Sequence, residues 1–130
     1  MMMKITERRP ADRVRIARME RNVKNGHFCA RVFSDEENRL IAARSHPAQT
    51  AAAHFAAREA LAKALRCGIF GFDLREAAVL RRADGSPYFA FSGALEQQMR
   101  EQGLAAELSL SHEREYAFAC VLLQPIGKEG

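Results

Sequence analysis

His54-Phe55-Ala56-Ala57-Arg58-Glu59-Ala60-Leu61-Ala62-Lys63-Ala64-Leu65 sets a carboxylate and an ammonium four residues apart inside an otherwise apolar run. Residues four apart share a helix face, so Glu59 and Lys63 are neighbours, and His54 and Arg58 stand on an adjoining track. From Ala48 to Leu65 there is no Gly or Pro and nine of eighteen residues are Ala, which predicts one long central helix. So many small side chains permit close approach to a sheet or to another subunit. One carboxylate among several cations points to a site for a metal and a phosphate.

Outward from this helix the punctuation is clear. Pro47 separates it from an earlier one that begins at Ser34-Asp35-Glu36-Glu37, a capping box, and runs to about Arg44. Residues 11 to 25 carry Val14, Ile16, Met19 and Val23 among arginines and end at Asn25-Gly26, which predicts a short basic amphipathic helix with a sound stop. Downstream, residues 78–82 and 88–91 flank the turn Asp84-Gly85-Ser86-Pro87 and pair as a hairpin. Ser92 caps a helix that reaches about Gln102, Glu107 to His112 alternates as a strand does, and Tyr116 to Leu123 returns as a second strand. The order predicts an α+β domain, a long central helix packed on a small antiparallel sheet, with residues 1–130 forming a single domain.

A chain of 130 residues can bury a core without disulfides or a structural metal. Cys29, Cys67 and Cys120 are odd in number and lack C-x-x-C spacing, so they read as reduced thiols of a cytoplasmic protein. No apolar run reaches the roughly 18 residues a membrane span needs, and Met1 to Arg9 lacks the apolar segment of a signal peptide. Charge is unevenly placed. Residues 1 to 31 hold nine Lys or Arg against Glu7, Asp12 and Glu20, a net +6, while the remainder sums to −2. A basic segment on a slightly acidic body implies an acidic partner. Nucleic acid is disfavoured, because the segment lacks aromatic interleaving and any recognised module.

Three groups could carry chemistry. Glu59 either forms an exposed intrahelical pair with Lys63 or, given its apolar neighbourhood, binds a metal. Asp12 either caps a helix or joins Glu59, since two carboxylates from separate elements are a usual protein contribution to Mg²⁺. His112, at a strand end, is either a turn residue or a donor to phosphate.

The segments Phe55 to Leu65, Asp84-Gly85-Ser86-Pro87-Tyr88 and Ser109-Leu110-Ser111-His112-Glu113-Arg114-Glu115-Tyr116-Ala117 together resemble the holo-acyl-carrier-protein synthases. These are the small, homotrimeric branch of the 4′-phosphopantetheinyl transferases. The motifs are similar to F-A-A-K-E-A-x-x-K-A, D-G-x-P-Y and S-x-S-H-x-x-x-Y-A, in that order. Arg31-Val32-Phe33-Ser34-Asp35-Glu36-Glu37 is similar to R-I-F-T-x-x-E, so the likeness spans about residues 11 to 123.

The resemblance implies transfer of phosphopantetheine from coenzyme A to a serine of an apo acyl carrier protein, with Mg²⁺ on the diphosphate. It implies a homotrimer with the coenzyme at subunit interfaces, and the composition argues for no nucleic acid and no membrane as partners. It does not distinguish a carrier of fatty acid synthesis from one of polyketide synthesis. Residue by residue, it implies Asp12 and Glu59 at the metal, Glu59 and Lys63 in catalysis, and His54, Arg58, Lys63, Arg66 and His112 at the coenzyme. Arg15, Arg18, Met19, Asn22 and Lys24 would dock the acidic carrier. Two stretches depart from the pattern. The family's opening I-x-G-I-G-x-D is replaced by residues 5 to 12 without Gly and with Pro10, which argues against a well-paired central strand there. Arg66-Cys67 replaces a Gly-Thr, so Arg66 would either bind phosphate or block it. Both departures keep a non-catalytic homologue, binding carrier or coenzyme without transfer, as the alternative.

Overall fold

The structure, a computed structural model, describes residues 7–127. The reading of Met1 to Thr6 as free of an apolar leader lies outside these residues. In chain order the elements are β1 (Ala11–Arg15), α1 (Ile16–Asn22), α2 (Gly26–Val32), α3 (Asp35–Ala43), α4 (Pro47–Ala64), β2 (Ala77–Arg81), β3 (Pro87–Phe91), α5 (Gly93–Glu101), β4 (Leu104–His112) and β5 (Tyr116–Pro125). A single 3-10 turn, Leu74–Glu76, precedes β2. The α+β architecture is as expected. An antiparallel sheet of order β1-β5-β4 lies against α4, and β2-β3 forms a separate hairpin.

The helix predicted over 11–25 is corrected: its first five residues are strand. Asp12 and Val14 turn inward while Ala11, Arg13 and Arg15 are exposed, a period of two that the helical reading absorbed. The partner strand β5 lies more than a hundred residues away, with Asp12 opposite Ala119 and Val14 opposite Ala117. Pro10 costs the ladder one bond to β5 and leaves its neighbours in place. Arg8 and Leu123 exchange both backbone bonds, at 2.9 and 2.8 Å, and the Pro10 carbonyl still accepts from Val121 at 3.0 Å. The chain therefore enters as a ribbon along β5, interrupted only where Pro10 has no N–H to give.

Asn25-Gly26 also opens an element that the sequence reading lacked. The Asn25 side chain accepts from the amides of His27 and Phe28, capping α2. The Ser34–Glu37 capping box is present with both reciprocal bonds. Ser92 stands at the start of α5, but its side chain makes no cap bond; the Glu76 carboxylate accepts from Ala94 and Leu95 instead, at 3.3 and 3.1 Å.

Helix α4 is apolar around nearly its whole circumference, as a helix enclosed by other elements should be. Its alanines share one core with Val14, Ala117, Ala119, Val121 and Leu123 of the sheet. From Ala51 to Ala64 every residue is buried except Glu59 and Lys63. These two mark the single face along which this stretch of the helix meets solvent.

Candidate functional site

Three elements bring charge to that open face. α4 supplies Glu59 and Lys63, β1 supplies Asp12, and α1 supplies Arg18. Lys63 Nζ lies 3.5 Å from Asp12 Oδ2 and donates to the Ala11 carbonyl at 3.3 Å. Glu59 makes no ion pair with any described residue, so the intrahelical Glu59–Lys63 pair is replaced by a bridge from helix to strand. Burial pushes the Glu59 carboxyl above its ordinary range, and the charge of Asp12 pushes it further, against the pull of Arg18 and Lys63. Two carboxylates thus face one another at the mouth of an apolar core.

This donor set fits a hard divalent cation. Asp12 and Glu59 would supply oxygen ligands, a bound cation would relieve their mutual repulsion, and waters or phosphate oxygens would complete the shell of Mg²⁺. Among the described residues no cluster of three or more His, Cys, Asp or Glu is arranged for a metal.

The other side of α4 corrects two expected coenzyme contacts. His54 and Arg58 are wholly buried and turn away from Glu59, toward Glu37 of α3. Arg58 donates to both Glu37 oxygens, at 2.5 and 2.8 Å, and through Nε to the Leu74 carbonyl at 2.8 Å. His54 Nδ1 meets Glu37 Oε2 at 2.8 Å, and the amide of Val79 donates to the same oxygen at 3.2 Å. Burial alone would raise the Glu37 carboxyl, but the charge and bonds of Arg58, with those of His54, hold it at about 2. Burial, opposed by Glu37 and assisted by Arg58 and Arg81, keeps the His54 ring below the usual histidine range. His54 is then neutral, donating from Nδ1 and accepting from Arg81 at Nε2, 3.3 Å away. The capping box revealed one role of Glu37; its partners in the core lie 17 to 42 residues away and left no local signal.

Arg66 is exposed at φ 57°, the left-handed residue that ends α4. Cys67 N–H donates to Ala62 and Arg66 N–H to Lys63, at 2.9 and 3.1 Å, the paired bonds of a Schellman turn. Glycine suits this position because it has no Cβ; arginine is accommodated with the turn intact. His112 is exposed at the end of β4, two strands over and two residues along from Asp12, roughly 12 Å by strand geometry. Within one chain it does not join the carboxylates.

Of the residues expected to dock a carrier, Met19 is corrected: it is fully buried in the core. Asn22 is half-buried against the Met19 sulfur at 3.8 Å. Arg15 donates to the Tyr116 hydroxyl at 3.0 Å on the sheet's outer side, whereas Arg18 lies over the Phe55 ring, 5.7 Å from its centre, and Lys24 is exposed. Arg18 borders a groove of about 900 Å³ with Phe28, Arg31, Phe55, Phe70 and Arg75. Phe70 is 81% exposed. Phenylalanine between glycines in Gly68-Ile69-Phe70-Gly71, outside any periodic pattern, was the signal for it. A second groove, about 560 Å³, runs from Asp12 and Arg13 across Phe118 and Cys120 to Ser109 and Ser111 on the outer face of the sheet. No helix among the described residues is long and apolar enough to cross a membrane.

Comparison with known proteins agrees with the fold. The sequence profile described as the 4′-phosphopantetheinyl transferase superfamily matches residues 11–121. The holo-[acyl-carrier-protein] synthase of Myxococcus xanthus is 43% identical over 102 residues, 77% of this chain and 78% of that protein. The crystal structure of the holo-[acyl-carrier-protein] synthase of Neisseria meningitidis superposes with a TM-score of 0.82 at 31% identity, covering 94% of this chain and 99% of that one. That of Helicobacter pylori, solved with coenzyme A, gives 0.76 at 26% identity over 90% of this chain and all of the other. With a profile spanning most of its length and a relative 43% identical over about three quarters of each chain, the chain belongs to the 4′-phosphopantetheinyl transferase superfamily.

Proposed function

We propose that this protein is a holo-acyl-carrier-protein synthase that moves 4′-phosphopantetheine from coenzyme A to a serine of an apo acyl carrier protein. One observation carries the reading: Glu59, its charge disfavoured by burial and by Asp12, stands with Lys63 and Arg18 on the open face of α4 in a chain related to such synthases. Carboxylates held close without full compensation are suited to Mg²⁺ and a diphosphate.

In the reaction the serine oxygen forms a bond to the phosphorus that carries pantetheine. The bond from that phosphorus to the bridging diphosphate oxygen breaks, adenosine 3′,5′-bisphosphate departs, and the hydroxyl proton is released. Asp12 and Glu59 would hold Mg²⁺, which when bound neutralises charge on the diphosphate. Lys63 binds a phosphate oxygen and holds it in line. Glu59 offers a carboxylate oxygen on the open face of α4 as the acceptor of the serine proton. Arg66 and His112 reach coenzyme phosphates, His112 from a neighbouring subunit. Tyr116, Phe118 and Leu122, half-buried on the outer face of β5, favour a trimer that covers this face and sets the coenzyme between subunits.

The carrier docks by charge on Arg18 and Lys24, beside the groove of Phe28 and Phe55, with Arg15 at its margin; the site of action is the cytoplasm. Incubation with coenzyme A, Mg²⁺ and several apo carriers, read by intact mass, tests the reading. Phosphopantetheine on at least one carrier is expected; a folded protein that modifies none rejects the proposal. Arg18→Glu should raise the carrier KM and leave coenzyme affinity unchanged, and an equal loss of both would remove Arg18 from the docking surface.

A further inference from the structure

The last turn of a helix leaves carbonyls without partners, and in α4 each is accounted for. Leu61 accepts from Leu65, Ala62 from Cys67 and Lys63 from Arg66. Ala64 accepts from a side chain outside the helix, the guanidinium of Arg8, whose Nη1 donates at 2.6 Å. The cation also meets the negative end of the helix dipole. Arg8 is itself fixed by two backbone bonds to Leu123 of β5, and its Nε is buried without a partner. A buried donor left unmatched is costly, so this clasp is held against part of its own stability.

The clasp lies next to the proposed site on both sides. Ala64 follows Lys63 directly, and Asp12 is four residues beyond Arg8 on the same ribbon. Arg8 to Ala64 and Lys63 to Asp12 are two parallel ties between one strand and one helix end. We infer that Arg8 is a positioning residue: it fixes the final turn of α4 against the entering strand and so sets where the Lys63 ammonium stands. The inference rests on the assignment of Lys63 to a coenzyme phosphate.

Coenzyme A affinity, measured by titration calorimetry, and amide hydrogen exchange at Arg66 and Cys67 test it together. Arg8→Met should weaken coenzyme A binding about tenfold, a modest loss for a phosphate contact displaced by less than an ångström, and should speed exchange at both amides. Arg8→Lys should recover most of each. In a Lys63→Met background the Arg8 substitution should add nothing further to the binding loss, because the group it positions is gone. Affinity equal to the unsubstituted protein in Arg8→Met, or a loss undiminished in the Lys63→Met background, overturns the inference. Should the unsubstituted protein bind no coenzyme A, the functional reading fails on its own. The exchange comparison then decides for Arg8, with unchanged rates overturning it.

Discussion

Two carboxylates flank α4, and the helix treats them in opposite ways. Glu37 is wholly enclosed, receives three charged or polar side-chain bonds and the backbone N–H groups of Ser34 and Val79, and is held at a pKa of about 2. Glu59 is only half-buried, bonds to no described cation, and is pushed upward by burial and by Asp12. The more buried acid is the better satisfied. A fully compensated charge joins α3, α4 and β2 and has no capacity left for a ligand; an under-compensated one retains it. The neighbours along α4 divide in the same way. Arg58 belongs to the scaffold although it adjoins Glu59 in sequence, and Lys63, one turn on, belongs to the open face.

Breaking the satisfied side should have the largest effect. Arg58→Ala leaves Glu37 buried and uncompensated, and should cost about 3–5 kcal/mol of stability by urea denaturation. A loss near zero would mean that Glu37 is not the ionised hub described here. The pH dependence separates the two acids further. Glu37 binds its proton less readily folded than at its ordinary 4.5, so its stabilisation is full above 4.5 and disappears as pH falls through about 2. Glu59 binds its proton more readily when folded, so ionising it costs stability as pH rises from 4.5 through its raised folded value. Melting temperatures of Glu37→Gln and Glu59→Gln between pH 3 and 7, on the order of the carboxylate range, should therefore shift in opposite directions relative to the parent near neutrality.

Arg66→Gly should come next in size. Relieving a Cβ at φ 57° should raise stability by about 1 kcal/mol, seen in the urea midpoint. If Arg66 also meets a coenzyme phosphate, the same variant binds coenzyme A less tightly, and unchanged affinity would confine Arg66 to the turn. Smallest is the stability gained by Glu59→Gln at neutral pH, a few tenths of a degree to a few degrees in Tm; a clear loss would show that Glu59 is satisfied after all.

The contrast between the acids was half legible in the sequence. Glu59 and Lys63 were readable because their relation is local, four residues on one helix, and the Ser34–Glu37 box was readable for the same reason. The second life of Glu37 was not, since its partners come from α4 and β2 and are chosen by packing. Chain-distant pairing also decided the start of the chain. Val14, Ile16, Met19 and Val23 fit a helix nearly as well as a strand followed by a helix, and only the ladder to β5 selects the second. The same packing carried Met19 inward, away from the surface expected of it. Asn25 shows how a local reading can miss an element: read as the stop of the first helix, which closes at Asn22, it starts the next with its side chain.

The most direct test is the mass of an apo carrier protein after incubation with coenzyme A, Mg²⁺ and either the parent protein or Glu59→Gln. The parent should add phosphopantetheine, while Glu59→Gln, melting no lower than the parent, should leave the carrier unmodified or slower by about a hundredfold or more. Carrier modified by Glu59→Gln at the parent's rate would contradict the assignment of the open face of α4 as the site of transfer.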